Sequence, residues 1–175
     1  MVDRREAHDG LEPDAGHVYL RSGKNASVPW TFPGEHAGDR LGFSLAALGD
    51  VDGDGVSDLI AGAPLAEYSV GVDRGVVYVI SGATGAQIWK AGGAADGDQL
   101  GYAVAGPGDV DGDGVPDYAF GVPYVDLGSS DRGAAWIYSG ATQALIRGIA
   151  GEKAGSRFGF ALDGAGDVDG DGRGD

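Results

Sequence analysis

The stretch Gly49-Asp-Val-Asp-Gly-Asp-Gly-Val-Ser-Asp58 sets the reading of the whole chain, because it occurs three times. It returns as Gly108-Asp-Val-Asp-Gly-Asp-Gly-Val-Pro-Asp117 and again as Gly166-Asp-Val-Asp-Gly-Asp-Gly-Arg-Gly-Asp175. The first aspartates, Asp50, Asp109 and Asp167, stand 59 and then 58 residues apart. Self-similarity at a fixed period is the mark of a repeat architecture, in which each unit buries its apolar faces against its neighbours.

Other landmarks keep the same register. Leu41-Gly-Phe43 recurs as Leu100-Gly-Tyr102 and Phe158-Gly-Phe160, and Ala61-Gly-Ala-Pro64 as Phe120-Gly-Val-Pro123. Arg74-Gly-Val-Val-Tyr-Val-Ile-Ser-Gly82 recurs as Arg132-Gly-Ala-Ala-Trp-Ile-Tyr-Ser-Gly140, and Gly16-His-Val-Tyr-Leu-Arg-Ser-Gly23 is an earlier copy of Gly75–Gly82. The pattern divides the chain into an extension at 1–13, a partial repeat at 14–40, repeats at 41–99 and 100–157, and a partial repeat at 158–175.

Composition restricts the fold. The 175 residues include 35 glycines and 7 prolines. Each glycine inside a helix costs about 1 kcal/mol relative to alanine, so long helices are disfavoured. No run approaches the roughly 20 apolar residues of a membrane-spanning helix. Within one unit four short strands are expected, at Phe43–Leu48, Asp58–Ala63, Val76–Ile80 and Gln87–Lys90. In the third, Val76, Tyr78 and Ile80 face one side while Val77 and Val79 face the other. Both faces are apolar, as in a strand buried between layers. Gly-Ala-Thr-Gly at 82–85 reads as a turn. The expected fold is all-β: a partial β-propeller of about three four-stranded blades.

The charge balance points to cations. With 27 acids against 12 bases the formal net charge is −15, the wrong sign for a nucleic-acid partner. No cysteine is present, which excludes disulfides, thiolate zinc sites and a cysteine nucleophile. Asp-x-Asp-Gly-Asp-Gly-x-x-Asp places carboxylates at positions 1, 3, 5 and 9 of a tight loop. Hard cations take six to eight oxygens at about 2.3–2.6 Å, and calcium tolerates irregular geometry better than magnesium. The expected ligands are Asp50, Asp52, Asp54 and Asp58 with the Val56 carbonyl; Asp109, Asp111, Asp113 and Asp117 with the Val115 carbonyl; and Asp167, Asp169, Asp171 and Asp175 with the Arg173 carbonyl. Up to three Ca²⁺ ions follow, bringing the formal charge from −15 to −9 with their six positive charges. An EF-hand would need an acid at position 12, where Ala61 and Phe120 stand. A polar Asp- and Gly-rich turn that binds nothing is the bland alternative.

These residues resemble the FG-GAP repeats of integrin α-subunit propellers, with similar repeats in glycosylphosphatidylinositol-specific phospholipase D. Phe158-Gly-Phe160, Gly62-Ala-Pro64 and the three acidic loops carry the resemblance, which spans roughly 14–175. It implies a seven-bladed propeller with calcium loops on one rim, serving adhesion or ligand binding. Seven blades need about 410 residues at this period, so a fragment of a larger chain is expected, with self-association to close a ring as the alternative. The N-terminal MVDRREAHDG lacks a signal peptide's apolar core. Millimolar calcium nonetheless argues for an extracellular or cell-surface location.

A protein or carbohydrate ligand is expected, contacted through variable loops such as Leu65–Asp73 and Tyr124–Asp131. No enzyme is expected: His8, His17 and His36 do not repeat, and Ser44 becomes Ala103 and Ala161 in the other copies. An accessory propeller of a secreted hydrolase and a purely structural spacer are the other readings. Arg173-Gly174-Asp175 spells an integrin-ligand tripeptide, but Asp175 already falls in the ninth ligand slot.

Overall fold

The structure, a computed structural model, describes residues 2–4, 13–68 and 71–175. Among these, every regular element is a β-strand. β1 (Val2–Arg4), β2 (His17–Leu20) and β3 (Thr31–Pro33) form one antiparallel sheet in the order β1-β2-β3. β4 (Ser44–Gly49), β5 (Asp58–Ala63), β6 (Val76–Ile80) and β7 (Gln87–Gly92) form a four-stranded meander. β8 (Val104–Gly108), β9 (Asp117–Val122), β10 (Ala134–Tyr138) and β11 (Leu145–Ala150) form a second meander. This is a partial propeller: each 59-residue unit yields one up-and-down sheet, and successive sheets stack face to face.

The strands fall where the pattern sets them. β5 and β6 keep their expected bounds, β4 is shifted by one residue, and β7 runs two residues further. Val2–Arg4, in the stretch set apart from the repeats, pair antiparallel with β2.

β6 shows why the sheets stack. All five of its residues are buried. Val76, Tyr78 and Ile80 join Val18, Leu41, Leu59 and Ala61 in the core between the first and second sheets. Val77 and Val79 join Ile60, Leu100, Val104, Tyr118 and Phe120 between the second and third. Period-two alternation thus serves two cores from a single strand. Burying one such valine or isoleucine contributes about 1.5–3 kcal/mol. Trp89 lies on the second core, its ring centroid 5.0 Å from that of Tyr118 and 5.4 Å from that of Tyr138. Trp136 in β10 and Trp30, just before β3, are partly buried against the two cores.

Consecutive repeats are joined by short parallel bridges, Gly16↔Leu41, Gly75↔Leu100 and Gly133↔Phe158. The glycines of the sequence landmarks meet at these seams. A Cβ on Gly62 would lie 2.0 Å from the Gly101 carbonyl oxygen, and one on Gly121 would lie 1.8 Å from that of Gly159. The Gly42 N–H donates to Gly62 O, and the Gly101 N–H to Gly121 O, each across 3.0 Å. Glycine is required there because one backbone passes directly against another.

His17 is buried in β2 and stacks on Tyr19. His36 lies in the loop after β3, its backbone N–H donating to Asp39 Oδ2. His8 lies outside the described residues.

Candidate metal centre

The first two acidic loops connect β4 to β5 and β8 to β9, and the third, at 167–175, follows the Phe158-Gly-Phe160 landmark of the last partial repeat. Bulges at Ala47/Gly49 and Ala105/Gly108 break the ladder just before the aspartates and turn the chain out of the sheet. Gly53 and Gly55 then adopt φ of 81° and 86°, the left-handed region that only glycine enters freely. The second and third loops repeat these values within a few degrees at Gly112, Gly114, Gly170 and Gly172.

Each loop winds around its first aspartate. Asp50 Oδ1 accepts the N–H groups of Gly53 (2.7 Å) and Asp54 (3.0 Å), while Oδ2 accepts that of Gly55 (2.8 Å). Asp109 does the same with Gly112, Asp113 and Gly114, and Asp167 with Gly170, Asp171 and Gly172. A carboxylate offers about four lone-pair sites, so three N–H bonds leave it able to bind a cation as well.

The last aspartate ties the loop to the rest of its blade. Asp58 is buried; its Oδ2 accepts the Val51 N–H and its Oδ1 the Gly82 N–H of the β6–β7 turn. Asp117 repeats this with Val110 and Gly140. Asp175 accepts the Val168 N–H. Burial pushes the Asp58 and Asp117 carboxyls up, with the Gly82 and Gly140 N–H bonds opposing it. A nearby cation acts in the opposite sense, favouring the ionised form.

Three of the four carboxylates expected per loop converge. One oxygen each from Asp50, Asp52 and Asp58 lies within 4.8 Å of the others, as do those of Asp109, Asp111 and Asp117, and of Asp167, Asp169 and Asp175. Oxygens sharing one calcium at about 2.3–2.6 Å are separated by at most about 5.2 Å, so the spacing suits a single ion. The donor set is all oxygen, which fits a hard cation. The fifth-position acids Asp54, Asp113 and Asp171 are not among these trios; each accepts, through Oδ1, the N–H two residues on, from Val56, Val115 and Arg173. The sequence pattern gave no sign that Asp58 and Asp117 also anchor a turn more than twenty residues away.

Residues 41–80 match the family model for the FG-GAP repeat. The chain is similar to integrin alpha-PS2 of Drosophila melanogaster, 36% identical over 178 residues covering 89% of this chain and 12% of that protein. Integrin alpha-V of Gallus gallus is 35% identical over 88% of this chain and 16% of its own length. Integrin alpha pat-2 of Caenorhabditis briggsae is 41% identical over half of the chain. This chain therefore spans a small fraction, at most 16%, of these relatives.

Proposed function

Since this chain carries FG-GAP repeats similar to those of integrin α chains, we propose that it is a calcium-stabilised β-propeller module for binding and adhesion, outside the cell or on its surface. The calcium is structural. Up to three ions are held by Asp50, Asp52 and Asp58, by Asp109, Asp111 and Asp117, and by Asp167, Asp169 and Asp175. Asp54, Asp113, Asp171 and the carbonyls of Val56, Val115 and Arg173 complete the sets. When bound, calcium supplies positive charge among carboxylates that otherwise repel one another.

The observation that carries this reading is the threefold recurrence of three carboxylate oxygens within 4.8 Å, on loops of matching backbone conformation. Cytosolic calcium would leave weak sites empty, whereas millimolar calcium outside the cell fills them.

The acidic loops share one end of each blade with the β6–β7 and β10–β11 turns, as the Asp58–Gly82 and Asp117–Gly140 bonds show. The longer loops after β5 and β9 leave from the opposite end. They expose apolar side chains there, Tyr68, Val72 (60% exposed) and Leu127 among them. We assign a protein ligand to that end, leaving the calcium end to brace the blades.

Thermal melting with calcium and with chelator tests the proposal. One site filled at a hundredfold excess over Kd stabilises by about 2.7 kcal/mol, so the calcium-loaded protein should melt several degrees higher. Equal melting temperatures in the two buffers would remove the structural role of calcium.

A further inference from the structure

The second and third acidic loops are bonded to each other. The Gly174 N–H donates to the backbone carbonyl of Asp109 across 2.8 Å. The two backbones run in contact here: a Cβ on Gly174 would meet the Pro107 carbonyl oxygen at 2.0 Å and Gly108 Cα at 3.1 Å. The Arg173 side chain continues the contact, its Nη2 lying 3.2 Å from where a Cβ on Gly112 would be.

The same seam recurs one repeat earlier without the bond. Pro116 occupies in the second loop the slot that Gly174 occupies in the third. Its ring lies against Gly49, with Cγ 2.7 Å from a would-be Cβ there. Proline carries no N–H, so Pro116 offers the Asp50 carbonyl nothing. Both seams pack one loop against the next, but the earlier one lacks the donor and the Arg173 contact, since Val115 stands in that slot and Gly53 has no neighbour where Gly112 meets Arg173.

We infer that the loops at 109–117 and 167–175 take up cations as a coupled pair, while the loop at 50–58 fills independently of its neighbour. This rests on the reading of the loops as cation sites. Asp175 and the Arg173 carbonyl are ligands of the third loop, and the Arg173 carbonyl belongs to the same peptide unit as the Gly174 N–H. Fixing that carbonyl on an ion fixes that donor. The donor holds the main chain of Asp109, whose carboxylate is the hub of the second loop. Order in either loop therefore lowers the cost of order in the other. Such coupling is reciprocal, and the usual range begins at about fivefold in affinity.

The test is a calcium chloride titration of the whole chain by NMR, following the Gly53, Gly112 and Gly170 amides as reporters of the three loops. Emptying the second loop with Asp111→Asn and Asp113→Asn should weaken calcium at Gly170 about fivefold or more and speed hydrogen exchange at the Gly174 amide. Emptying the first loop with Asp52→Asn and Asp54→Asn should leave the response at Gly112 within about twofold, since no such coupling joins the two. Pro116→Gly, which supplies the missing donor, should bring the first loop under the influence of the second. An unchanged response at Gly170 when the second loop is emptied, or an equal effect from emptying the first, overturns the coupling and leaves the cation sites standing. A wild-type chain whose three reporter amides ignore calcium overturns both.

Discussion

The Gly82 N–H donates to Asp58 Oδ1 across 2.9 Å, joining the end of an acidic loop to a turn 24 residues later in the same blade. One side chain thereby serves two ends: it places an oxygen in the carboxylate cluster and satisfies a buried donor. The bond is repeated between Gly140 and Asp117. Asp58 is thus part of the fold before any ion arrives, which separates it from the exposed Asp52 in the same cluster.

Asp58→Ala should destabilise even the calcium-free protein. It leaves the Gly82 and Val51 N–H groups without their acceptor, and each orphaned buried donor costs about 1–3 kcal/mol. A loss of about 2–4 kcal/mol is expected in urea denaturation with chelator present. Asp52→Ala, under the same conditions, should cost less than about 1 kcal/mol, because surface changes usually do. Equal losses from the two variants would contradict the separation.

The blade seams should be intolerant of bulk. Gly62→Ala places a methyl 2.0 Å from the Gly101 carbonyl oxygen, an overpacking expected to cost about 1–3 kcal/mol. Trp89→Ala removes a ring shared with Tyr118, Tyr138 and Phe120 and should cost about 3 kcal/mol. Denaturation midpoints for both variants check this, and a Gly62→Ala protein as stable as wild type would mean that the seam is looser than described.

Asp39 gives a dependence on pH. It is buried beside the loop after β3, and burial pushes its carboxyl up, against the N–H bond and the charge from His36. The folded chain therefore holds this proton more tightly than the unfolded one. Stability from this group is present in acid and falls as pH rises through the window above the ordinary value of 3.8. Asp39→Asn keeps an oxygen for the His36 N–H and removes the charge. The variant should melt no earlier than wild type at pH 7, with the difference narrowing towards pH 4. Calorimetric scans in chelator measure it, and a variant that melts earlier at pH 7 contradicts it.

Much of this architecture was legible in the chain. The both-sided apolar alternation of Val76–Ile80 placed β6 between two cores, and the recurring aspartates placed the loops and their convergence. What escaped was non-local. Nothing at Asp58 indicates that Gly82 will come within hydrogen-bonding distance. Asp54 lies in the same alternation as Asp50 and Asp52, yet it falls outside the converging trio, although its Oδ1 accepts the N–H two residues on just as that of Asp52 does. Pairing of Val2–Arg4 with β2 was likewise hidden, since three residues carry no periodicity.

Calorimetric titration of the chelator-stripped chain with calcium bears most directly on the central claim. Three ions should bind per chain, falling to two when Asp52 and Asp54 are both replaced by alanine. A wild-type chain that takes up no calcium, or a double variant that still binds three, would show that these carboxylates do not hold the ions.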